Sequence, residues 1–80
     1  MSLARAYDEI VDFIAAGPSP SKVVAFRPSE ATRQRVADLI HREKTEGISD
    51  EERSELDHYQ QIEHLMRLAK ARAKQHLTGE

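Results

Sequence analysis

The sequence predicts an all-α fold, a small helical bundle built on an antiparallel αα-hairpin. Three observations carry that reading. Apolar residues recur at spacings of three and four, the period of a helix that buries one face. Gly17-Pro18, Arg27-Pro28 and Gly47-Ile48-Ser49 break the chain into helix-length pieces. Serines at 2, 19, 29 and 49 stand directly before those pieces, where a side-chain oxygen caps free amides. With 80 residues the chain suffices for a single helical domain, 1–80.

The first helix is expected over about 3–16, capped by Ser2. Leu3, Tyr7, Ile10, Val11 and Ile14 share one face, and Phe13 falls off that stripe. Gly17 supplies the left-handed residue that ends a helix at little cost. A short helical turn follows near 19–26, with Ser19 as cap and Pro20 at the first helical position. Pro28 disfavours helical geometry at Arg27, so the turn stops there. Val23, Val24 and Phe26 are too apolar to be left in water.

The hairpin pairs a helix over about 30–46 with one over about 50–77. Ser29 caps the first, whose apolar contacts are Val36, Leu39 and Ile40. Ser49 and Glu52 form a capping box at the start of the second, and Asp50, Glu51 and Glu52 complement its positive end. Tyr59, Ile62, Met66, Ala69 and Ala73 alternate by three and four, a seam that Leu56, Leu65, Leu68 and Leu77 widen. The link is short, which favours antiparallel neighbours. The last helix spans about 40 Å and its partner about 25 Å, so its end overhangs. The first helix and the 18–28 segment are left to cover the overhang; otherwise a partner or second copy must.

The chemistry-bearing residues are few. Cysteine is absent, which excludes disulfides and thiolate sites. Glu55-x-x-His58 matches half of a di-iron element, but its nearest echo, Gln61-x-x-His64, offers a poor ligand. The three glycines sit near expected helix ends, so no phosphate loop is present. No catalytic residue, metal site or cofactor is therefore expected, and the chain is not read as an enzyme. Asp8, Glu9 and Asp12 interrupt any leader-like apolar run, and no stretch is long enough to span a bilayer. A cytoplasmic protein without a membrane partner is the expectation.

Charged residues make up 32% of the chain, yet the net charge is −2, against a generic nucleic-acid binder. The distribution is sharper. From Glu43 to Glu63 eight acids face only Lys44 and Arg53, a net −6. Arg67, Lys70, Arg72 and Lys74 then follow with no acid among them. A helix-turn-helix reader would present Asp50, Glu51, Glu52 and Glu55 to the groove, and phosphates would repel them.

Ala15-Ala16-Gly17-Pro18-Ser19-Pro20, Phe26-Arg27-Pro28-Ser29, Glu46 to Glu52 and Glu63 to Arg72 together cover much of the chain. In these stretches it resembles a family of short helical bacterial proteins of uncharacterised function, antitoxin-like and often encoded beside a toxin-type or HNH-type nuclease. The resemblance carries no catalytic residues. It implies an antitoxin or accessory role.

The resulting expectation is a non-catalytic protein–protein interaction module whose partner is a nuclease toxin, or a homodimer. Glu51, Glu52 and Glu55 would oppose a basic cleft, and Val23, Val24 and Phe26 would offer an apolar anchor. The alternative is a nucleic-acid-binding regulator that contacts phosphates through Arg67, Lys70, Arg72 and Lys74.

Overall fold

A computed structural model describes residues 5–78. They form four helices in an all-α arrangement: α1 (Asp8–Ala15), α2 (Pro20–Ala25), α3 (Glu30–Thr45) and α4 (Asp50–Thr78). No strand occurs among the described residues. The expected Ser2 cap and Leu3 lie outside them.

α1 starts at Asp8, later than the period alone suggested. The amide of Ala6, which a longer helix would commit to its own ladder, donates instead to the Glu55 carboxylate at 2.8 Å. Arg5 N–H donates to Asp8 Oδ2 at 2.8 Å, and Asp8 N–H returns to the Arg5 carbonyl at 3.0 Å. These bonds fold 5–8 into a turn. Gly17 follows the helix at φ 68°, the left-handed conformation expected of it.

The buried face of α1 also differs from the expected stripe. Ala6 and Ile10 are buried and Phe13 is half-buried, whereas Val11 and Ile14 are exposed. Phe13 turns inward because Phe26 meets it, with ring centroids 4.4 Å apart. Apolar residues cover a wide arc of this short helix, and tertiary packing selects which part is buried.

α2 begins at Pro20, the position where the missing N–H costs nothing. Ser19 makes no side-chain cap; its hydroxyl lies 3.3 Å from that of Ser21. Phe26 leaves the helix in extended geometry, φ −61° and ψ 135°, ahead of Pro28. α2 packs against α4 more extensively than any other element does. Lys70 Nζ donates to the Phe26 carbonyl at 2.6 Å, which fixes the C-terminal end of α2 on α4. The 18–28 segment thus packs on α4 near Lys70.

Ser29 Oγ caps α3 by accepting from Thr32 N–H at 3.2 Å. A local capping box would need a Glu or Gln at 32, where this chain has Thr. Glu9 of α1 makes that contact from afar: Ser29 N–H donates to Glu9 Oε1 at 2.7 Å. At the start of α4 the box is local and reciprocal. Glu52 N–H donates to Ser49 Oγ and Ser49 N–H donates to Glu52 Oε1, both at 3.1 Å.

The main cluster joins Ala6, Ile10, Tyr59 and Met66, with Phe13, Val23, Phe26, Val36, Ile62 and Ala69 packed around it. Leu39 is fully buried, and Leu56 and Ala73 are nearly so. The Tyr59–Ala73 seam of α4 therefore faces inward, as its spacing indicated. Leu65, Leu68 and Leu77 do not widen it; each is more than half exposed.

Candidate interaction surface

The acids at the start of α4 occupy three different environments. Glu51 is exposed. Glu52 accepts from Arg42 Nη2 at 2.6 Å, and this guanidinium, with the Ser49 amide, holds its carboxyl down at about 2. Glu55 is 8% exposed. Arg35 reaches it with two bonds, Nε to Oε2 at 3.1 Å and Nη2 to Oε1 at 2.9 Å, beside the bond from Ala6 N–H. Its carboxyl lies below the usual range because the Arg35 bonds outweigh the cost of burial.

Part of the −6 segment is therefore neutralised by α3, whose Arg35 and Arg42 pair with Glu55 and Glu52. Arg35 and Arg42 lie outside the 43–63 window and cancel acids that look unopposed within it. Glu43 pairs with Arg53 at 2.6 Å. Asp50, Glu51 and Asp57 remain exposed on α4. Glu55, expected to face a basic cleft, is instead enclosed by Arg35 and the Ala6 amide.

Among the described residues no group of three His, Cys, Asp or Glu is placed to hold a metal ion. Glu55 and His58 diverge, the carboxylate to Arg35 and the imidazole to the Tyr7 ring, with centroids 5.4 Å apart and the planes steeply inclined.

Val23, Val24 and Phe26 are all half-buried. Val23 and Phe26 pack on the main cluster, so much of the surface expected to anchor a partner lies against α1 and α4.

The basic residues do not form one stripe. Arg67 pairs with Glu63 at 3.0 Å, and Lys70 is half-buried on the Phe26 carbonyl. Arg72 and Lys74 are exposed. Arg67, Lys70 and Lys74 fall on one side of α4, while spacings of five and two put Arg72 across the helix from Arg67 and Lys74.

The surface that stands out is apolar. Leu65 and Leu68 are 56% and 54% exposed on α4, and Ile14 is 45% exposed on α1. Between Leu65 and Ile14 runs a groove of about 310 Å³ lined by Phe13, Ile14, Pro18, Val23, Leu65, Met66 and Ala69. Its wall is almost wholly apolar. Sequence reasoning placed Leu65 and Leu68 in the seam. The signal against that is angular: Leu65 precedes Met66 by one residue and Leu68 follows it by two, offsets that swing both away from the buried face.

No helix among the described residues is long and apolar enough to cross a membrane. Comparison of the chain with protein-family models, with curated proteins and with solved structures gives no match.

Proposed function

We propose that this chain is a non-catalytic protein-interaction module that docks through the apolar side of α4 and α1, and that it serves as an antitoxin-like or accessory partner of a nuclease. In this reading α3 and the first half of α4 act as an antiparallel hairpin platform. The exposed Leu65, Leu68 and Ile14 beside an apolar groove carry the reading. Apolar patches rimmed by polar residues mark interaction sites. Exposed Asp50, Glu51 and Asp57 add acidic charge that favours approach to a basic, phosphate-binding protein.

The alternative, a nucleic-acid-binding regulator, has narrower support. Lys70 and Arg67 already have partners within the chain, and Arg72 is separated from Lys74 around the helix.

Capture from the source cell's lysate on a lightly tagged chain tests the proposal. A stoichiometric protein retained after nuclease treatment is the expected result. Loss of every partner on nuclease treatment contradicts it and favours the alternative.

A further inference from the structure

The exposed side of α4 has an internal symmetry. Asp57, Gln61, Leu65, Leu68, Arg72 and His76 follow one another at spacings of four, four, three, four and four. Those spacings keep them on one side of a helix. All six are exposed. The series reads the same from either end in spacing, and its formal charges are opposite on the two sides: Asp57 and the neutral Gln61 precede the leucine pair, and Arg72 and His76 follow it.

We infer that the occupant of this face is a second copy of the chain, docked with its α4 antiparallel. This deepens the interaction reading above and rests on it: the second copy takes the apolar face, and the exposed acids Asp50 and Glu51 are left to face the nuclease. A twofold axis between Leu65 and Leu68 sets Leu65 against the partner copy's Leu68, Gln61 against its Arg72 and Asp57 against its His76. Arg72 also lies about 6 Å along the axis from the point facing Asp57, within reach of its long side chain. A parallel copy would set Asp57 on Asp57 and Arg72 on Arg72, which like-charge repulsion disfavours.

The self-complementary pattern is what an isologous interface requires, since each contact occurs twice. The groove beside Leu65 completes it. Phe13, Ile14, Pro18 and Ala69 surround an apolar hollow next to the position that the second copy's Leu68 takes. Each copy thus places one leucine at the other's groove, and four half-exposed leucines leave water together.

Sedimentation equilibrium of the full chain tests this at low salt up to about 0.5 mM, a range that detects micromolar association. The mass is expected to rise from 9.1 kDa to about twice that with concentration. Leu68→Lys and Arg72→Glu should each weaken association at least about tenfold. Asp57→Lys combined with Arg72→Glu should restore it, because the exchange re-pairs opposite charges. Circular dichroism should show the same helix content in all of them, since each altered side chain is exposed.

A chain of 9.1 kDa at every concentration overturns the second-copy occupant. A dimer indifferent to Leu68→Lys, or a charge exchange that fails to rescue Arg72→Glu, overturns it as well. The interaction reading fails separately, when nuclease treatment strips every partner from the captured chain.

Discussion

Glu55 shows how far a residue's role depends on distant sequence. Acids at 50, 51, 52 and 57 lie close to it in the chain and suggest a solvated position at a helix start. The guanidinium that neutralises it is twenty residues away, and the amide it accepts from is forty-nine away. No local pattern encodes either. Ser49 and Glu52 are the opposite case, because a capping box is written in a spacing of three. Glu55→Ala should therefore destabilise the chain by about 2 kcal/mol, since it leaves the buried Ala6 amide unpaired. Chemical denaturation measures that.

Glu52 gives a pH dependence of definite sign. Arg42 and the Ser49 amide hold its carboxyl at about 2 in the folded chain, below the ordinary 4.5. The folded state thus binds the proton more weakly than the unfolded state. The stabilisation is fully present above pH 4.5 and is lost as pH falls toward 2. The thermal midpoint should drop across that window, and Glu52→Gln should flatten the drop. An equally steep fall in the variant would assign acid sensitivity to other groups.

Among the elements, the existence of each helix was legible from glycine, proline and serine punctuation, and the seam of α4 from its period. Faces and starts were less so. α1 buries Phe13 rather than Ile14 because Phe26 meets it, and α1 begins late because the Ala6 amide bonds to Glu55. Both causes lie in other elements. Phe26→Ala should cost about 2 kcal/mol, less than a fully buried Phe because the ring is half-exposed. A negligible change in the denaturation midpoint would mean that Phe26 faces outward. Gly47 stands at φ 87° with nothing within 4 Å of where a Cβ would be. Gly47→Ala should thus cost about 1 kcal/mol from backbone strain alone. Gly47→Asn should cost less, since Asn tolerates that conformation.

The whole molecule is elongated, 48 × 28 × 19 Å, with a radius of gyration of 14.5 Å. A compact chain of this length would have about 12 Å. The long axis is close to the length of α4 itself, about 43 Å at the usual helical rise. A single helix that long exposes one side even when α1, α2 and α3 are packed against it. The unequal helix lengths left the end of α4 in need of cover, and α2 packs on α4 near Lys70. The uncovered leucines lie to the side of the seam, which the three-and-four pattern alone does not show but their offsets from Met66 do. At this scale a small chain can be stably folded and still have apolar surface left to bury against a partner.

The most direct test compares the wild-type chain with Leu65→Lys/Leu68→Lys in one pair of measurements, denaturant midpoint and the protein retained from lysate after nuclease treatment. The account predicts a stability change within about 0.5 kcal/mol, as for exposed positions, together with loss of the retained protein. A variant that unfolds would place these leucines in the core. A folded variant that retains the same protein would show that the apolar side of α4 is not where this chain docks.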